Sequence, residues 1–185
     1  IKLNELSELC VLERMPAVAI TDHNNLFGAI EFSEICKDSG IQPILGCEIS
    51  VKLKSSLNTN FEEREYPSII VLAQNKVGWK NLIKLSSEAH LKSPVGEYPH
   101  ICLEQLASYS EGLLALSGGP GGLLGTLLLS GNKKDALSIC KHLAKLFPDK
   151  FYIELMRHDL ESEKLTEDAF LDFAYECNLP LVATN

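Results

Sequence analysis

The side chains most able to do chemistry fall in five short stretches. Asp22 and His23 follow the apolar run Ala17-Val18-Ala19-Ile20, and Cys47-Glu48 sits late in a second apolar run. His90 ends a helical pattern, Ser117-Gly118-Gly119 follows Leu113–Leu116, and His158 lies in Met156-Arg157-His158-Asp159. Neutral imidazole and carboxylate together suit zinc, manganese or iron(II). Such ions polarise phosphoryl oxygens and acidify bound water. His23, Glu48 and His90 are therefore the candidate metal ligands, and Asp22, Cys47, Ser117, Gly119 and His158 lie near the candidate site.

Each has a plainer reading beside this one. His90 reads equally as a cation favoured at a helix C-terminus, Asp22 as an acceptor for loop amides, and Glu48 as a lysine partner. The glycines of SGGPGG expose amides ahead of a helix, where phosphate can bind. They match neither G-x-G-x-x-G nor a P-loop, and a tight turn at positive φ describes them better. His100 and His142 read as surface or packing residues.

These groups need elements to hold them. Leu3, Leu6, Leu9 and Cys10 have helical spacing over 3–13, ending near Pro16. A strand over 17–21 follows. Asn24 or Asn25 can cap a helix with Phe27, Ile30 and Cys36 on its inner face and Gly40 after its end. Pro43–Val51 reads as a strand, the polar residues 53–65 as an exposed loop, and Ser68–Leu72 as a third strand. Further helices are predicted at 77–90, 103–108, 121–129, 133–147 and 162–177, with strands at Leu113–Leu116, Phe151–Leu155 and Pro180–Ala183. This alternation predicts an α/β domain with a mainly parallel sheet, open or closed into a barrel. In such folds sites gather at the C-terminal strand ends, where most of the candidates lie.

A chain of 185 residues suffices for one domain with a sizeable core. Its net charge of −8 gives this segment no electrostatic signature of a nucleic-acid or membrane binder. The six cysteines form no C-x-x-C pair and read as buried, reduced thiols, as in a cytoplasmic protein. No run approaches the ~18 apolar residues of a membrane span, and no signal-peptide pattern opens the chain. Beginning at Ile1 and stopping at Asn185 just after an apolar run, the chain reads as cut from something longer.

Six stretches now stand in fixed order: PAVAITDHNNLFGAIEF, GIQPILGCEISV, NLIKLSSEAHL, EGLLALSGGPGG, FYIELMRH and LPLVATN. Together, over about residues 2–185, they resemble the PHP (polymerase and histidinol phosphatase) domain of the bacterial replicative polymerase, the DNA polymerase III alpha subunit. The resemblance implies a distorted (β/α)7 TIM-like barrel with a metal site at the C-terminal strand ends. It carries the ligand role to His23 (from TDH), Glu48 (from GCE) and His90 (from SSxAH). The SGC position is Gly119, which cannot ligate, and the family's H-x-H and D-x-H would lie before Ile1 and after Asn185. The barrel is thus expected to be incomplete at both ends, with exposed sheet edges that favour self-association.

Three functions follow as expectations. The first is the N-terminal domain of a replicative DNA polymerase, with magnesium, DNA and dNTPs engaged outside this chain and no catalytic residue within it. The second is a metal-dependent phosphoesterase using zinc or manganese, either a proofreading 3′–5′ exonuclease or a pyrophosphatase. The third is a structural domain with a partly decayed metal site that binds zinc or manganese weakly, docks the proofreading exonuclease and other replicase subunits, and has no membrane role. The residues favour the first and third together.

Overall fold

A computed structural model describes residues 2–53 and 66–184. The expected loop over 53–65 lies almost wholly outside the described residues. The chain runs α1 (Leu3–Leu12), β1 (Ala17–His23), α2 (Ala29–Asp38), β2 (Gln42–Ser50), β3 (Ser68–Ala73), α3 (Lys76–Lys92), α4 (Leu103–Ser108), β4 (Leu113–Leu116), a 3-10 turn (Gly119–Gly121), α5 (Leu123–Leu129), α6 (Lys133–Leu146), β5 (Phe151–Leu155), α7 (Glu161–Cys177) and β6 (Leu181–Ala183).

The strands form one sheet in chain order, β1 to β6, curled into a half barrel. β1 pairs parallel to β2, and β4, β5 and β6 pair parallel in turn. β3 is antiparallel to both its neighbours, so it alone runs against the rest. The mainly parallel sheet expected from the alternation is present with this one reversal. Five strands therefore end on the same rim, which gathers the groups that follow β1, β2, β4, β5 and β6. Among the described residues β1 and β6 are the free edges of the sheet.

Alternation along the strands separates two faces. Cys47, Ile49, Ile69, Val71, Leu113, Ala115, Phe151 and Ile153 turn towards the helices and join Leu82, Leu85, Leu123, Leu127, Cys140, Leu143 and Phe173 in the main core. Glu48 and Ser50 fall on the opposite face, with Ser68 directly across from Ser50. A smaller core forms where α1 and α2 cover β1, from Cys10, Phe32, Cys36 and Ile41. All six cysteines are free, four buried and two partly so.

α2 departs from the sequence reading. It begins at Ala29 with Gly28 as its N-cap, and neither Asn24 nor Asn25 caps it. Asn24 takes a left-handed φ of 56°. Asn25 Oδ1 accepts the Phe27 N–H at 3.0 Å, and Asp22 Oδ2 accepts the Gly28 N–H at 2.9 Å. These bonds extend the turn and delay the helix. Counting from Ala29, the inner face is Ala29, Phe32 and Cys36, while Phe27 and Ile30 are 88% and 71% exposed. Of the expected inner residues, only Cys36 is one.

Candidate functional site

The register of β1 on β2 sets His23 directly against Glu48. Parallel neighbours in register share a face, so the two side chains meet at the rim. His23 Nδ1 lies 3.5 Å from Glu48 Oε2, with both side chains partly exposed. Each partner's far atom is held by a serine. His23 Nε2 is 3.2 Å from Ser50 Oγ, and Ser68 Oγ donates to Glu48 Oε1 at 2.7 Å. Two hydroxyls thus turn Nδ1 and Oε2 towards each other at the mouth of a cavity of about 380 Å³, which is also lined by Tyr66 and Tyr98. That volume falls in the range of small-ligand pockets.

The separation of the facing pair matches that of two donors on one divalent cation. Tetrahedral ligation with bonds near 2.0–2.1 Å sets two donor atoms about 3.4 Å apart, close to what His23 and Glu48 offer. Among the described residues no group of three or more His, Cys, Asp and Glu is placed to hold a metal ion. His90, exposed in the last turn of α3, therefore does not complete such a cluster with them. Its helix does reach the rim, because Ser86 Oγ, one turn earlier, donates to the Asn24 carbonyl at 3.1 Å.

The remaining candidates are engaged in ways that position the rim. Asp22 is taken up by the Gly28 amide. Cys47 is fully buried, and burial, with Asp22 and Glu48 nearby, pushes its thiol up to about 12, so it is inert at neutral pH. Ser117 Oγ accepts the Glu154 N–H at 2.9 Å. Gly118 and Gly119 have φ of 81° and 59°, as the turn reading requires. A Cβ placed on Gly119 would lie 2.9 Å from Met156 Sδ, so the Met156 thioether fills the space into which a side chain there would point. His158 follows β5. Its Nδ1 and its backbone N–H both face the Glu163 carboxylate at 2.7 Å, and Glu163 is buried. His100 is a packing residue, 4.4 Å ring to ring from Tyr66, and His142 is exposed.

Besides Ser50 and Ser68, two further residues of the rim's framework were not singled out by sequence reasoning. Glu154 is 1% exposed in β5, where Oε2 accepts the Gly118 N–H at 2.9 Å and Oε1 accepts from Thr184 Oγ1 at 2.6 Å. Burial raises its pKa and the Glu48 carboxylate adds to the rise, against the lowering effect of Thr184 and Gly118. Its signal was an acid in mid-strand between Ile153 and Leu155. The other is Asn24, 3% exposed, whose N–H donates to the Glu48 carbonyl at 2.8 Å. No local pattern marks it.

Residues 1–158 match the family described as PHP domain. The chain is 39% identical over 185 residues to the DNA polymerase III subunit alpha of Caulobacter vibrioides, covering 100% of this chain and 16% of that protein. It is 35% identical over 183 residues to the Rickettsia prowazekii protein of the same name, covering 99% and 15%. With the Treponema pallidum one it shares 38% over 174 residues, covering 91% and 15%. The chain therefore spans about 15% of the length of these curated relatives. Two solved structures share its fold at 14% sequence identity. One is a candidate metal-dependent phosphoesterase from Bifidobacterium adolescentis, with TM-score 0.52 over 98% of this chain and 80% of that one. The other is an amidohydrolase from Chromobacterium violaceum with bound sulfate and no metal, with TM-score 0.54 over 100% and 81%.

Proposed function

The chain belongs to the PHP domain family, and from that premise we propose that it is the N-terminal PHP domain of the alpha subunit of a replicative DNA polymerase. The 39% identity over all 185 residues to a polymerase alpha subunit carries this reading. The polymerase centre, its magnesium ions, and its contacts with DNA and dNTPs belong to the rest of that protein. The domain itself is a scaffold and docking module with a reduced metal site. Gly119 supports this, since it offers no donor and Met156 fills the space beside it. The exposed Phe27, Ile30, Leu91 and Val95 supply apolar surface for partners such as a proofreading exonuclease subunit.

The second reading is a metal-dependent phosphoesterase, either a proofreading 3′–5′ exonuclease or a pyrophosphatase. It is favoured by the His23–Glu48 pair, whose spacing suits a cation and whose far atoms are each held by a serine. There His23 and Glu48 would hold zinc or manganese. The ion would supply Lewis acidity towards a phosphoryl oxygen.

The full-length protein decides between them. On the favoured reading it extends a primed template with magnesium, does so equally well as the His23→Ala, Glu48→Ala double variant, and contains less than one zinc or manganese per chain. Failure to extend the primer refutes the polymerase assignment. Hydrolysis of a 3′ end or of pyrophosphate that the double variant loses, together with stoichiometric metal, refutes the scaffold assignment in favour of the phosphoesterase.

A further inference from the structure

We propose that Cys140 and Cys177 are a redox-sensitive pair, which a peroxide converts into a reversible disulfide joining α6 to α7. The inference goes beyond the proposed function and does not depend on a metal at His23 and Glu48.

Two helices bring these residues together. α6 and α7 pack side by side, with Cα atoms of the two coming within 8 Å. A disulfide spans Cα atoms about 4.4–6.8 Å apart, so helices packed at this range can be joined by one with a small adjustment. Two ion pairs cross the same seam, Lys133 Nζ to Asp172 Oδ2 at 2.8 Å and Lys141 Nζ to Glu176 Oε1 at 2.7 Å. The second links the residue after Cys140 to the residue before Cys177, so the helices meet at the level of the two cysteines. There the thiols share a hydrogen bond.

The two sulfurs differ in access. Cys177, the last residue of α7, is partly exposed, and Cys140 is fully buried. Burial, with Cys177 beside it, holds the Cys140 thiol above its ordinary value. Cys177 is therefore the sulfur that an oxidant reaches first, and Cys140 the one that stands behind it.

In the first step the Cys177 thiolate attacks one oxygen of hydrogen peroxide. An S–O bond forms, the O–O bond breaks, and the departing hydroxide takes up the thiol's proton as water. Cys177 is oxidised to the sulfenic acid and the peroxide is reduced. In the second step the Cys140 sulfur attacks the Cys177 sulfur. The S–S bond forms, the S–O bond breaks, and the leaving hydroxide takes the Cys140 proton as a second water. The small thiolate fraction of Cys140 slows this step, and its fixed contact with Cys177 offsets that by making the step intramolecular. A small thiol reverses the bond by exchange. The bond ties down the end of α7. Asn178 follows at a left-handed φ of 51°, and the chain then enters β6 and reaches Thr184, the partner of Glu154 at the rim.

Mass spectrometry of the full-length protein after brief treatment with hydrogen peroxide tests the pair. Once free thiols are alkylated and the chain is cut with trypsin, peptide 135–141 should appear joined to the peptide that begins at Leu165, with the loss of two hydrogens. Dithiothreitol should separate them. In Cys140→Ser, Cys177 should stop at the sulfenic acid and be captured by dimedone more than in wild type. In Cys177→Ser, Cys140 should stay a thiol, and this change at the more exposed position carries the test if Cys140→Ser does not fold. A wild-type Cys177 that passes to the sulfinic acid without joining Cys140 overturns the proposal. So does a bridge from either cysteine to a different one, a pair left as thiols while other cysteines of the protein oxidise, or a Cys140 that oxidises as readily in Cys177→Ser.

Discussion

Adding a single methyl group at Gly119 tests how the rim is packed. Gly119 sits at φ +59°, and its added Cβ would lie 2.9 Å from Met156 Sδ and 3.2 Å from Met156 Cε. Two costs follow for Gly119→Ala. The left-handed backbone costs an L-residue about 1–2 kcal/mol. Moving the Met156 side chain off its rotamer costs about 0.5–1.5 kcal/mol more. The sum of about 1.5–3.5 kcal/mol lowers Tm by about 3–14 °C for a chain of this size. The thioether is flexible and half-buried, so Met156→Ala alone loses only about 1 kcal/mol of burial. Only the steric part depends on both residues. Urea denaturation of the two single variants and the double variant should therefore give a coupling of about 1 kcal/mol, the double being less damaged than the singles predict. The backbone part should survive in the double variant. Coupling within about 0.3 kcal/mol of zero would refute the packing argument, because it would mean that the Met156 thioether does not occupy the space beside Gly119.

How much of this could be read in advance depended on the range of the interaction involved. The alternation of strand and helix was legible because each element carries its own period, as in α6, where Cys140 and Leu143 are buried as spaced, with Phe147 buried just past its end. The nearness of His23 and Glu48 followed from two successive parallel strands, and the register adds that they are direct partners. The reversal of β3 was not legible, since an apolar strand reads the same in either direction. The start of α2 was misread for a more specific reason. Asn24-Asn25 look like caps, but Asn24 bonds to Ser50, Ser86 and Pro99, 26, 62 and 75 residues away, and only the folded chain contains those partners. Phe27 and Ile30 were placed inward by counting from a helix start that the turn had already moved. Glu154 was hidden because its partners, Gly118 and Thr184, come from two other strand ends. What holds the rim is mostly such long-range polar contact, and residue period carries no trace of it.

Two titrations bear on the same framework. Glu88 accepts from Lys92, Gln105 and Tyr109, and these bonds, Lys92's first, hold its pKa down to about 2 from an ordinary 4.5. A carboxyl whose folded pKa is depressed lends stability above its unfolded value and loses it as pH falls through the folded one. Glu88→Gln should therefore flatten the loss of stability between about pH 4.5 and 2 in urea melts, and an acid limb as steep as that of wild type would count against the bonds as drawn. Glu154 works in the opposite sense. Burial raises its folded pKa, so between the unfolded and folded values the native state holds the extra proton. Its protonated form is the one that folding favours, and the stability it lends is present below the unfolded value and is lost as pH rises through the folded one. Glu154→Gln keeps an acceptor for the Gly118 N–H and abolishes the buried charge, and Thr184 Oγ1 can rotate to accept from the new amide. The variant should match or exceed wild-type Tm at pH 8, and its advantage should shrink towards pH 4. If it is instead the less stable protein at pH 8 by more than at pH 4, the charge on Glu154 is favourable. The turn that follows β4 would then be held by a carboxylate that stays ionised, and burial would not dominate its titration.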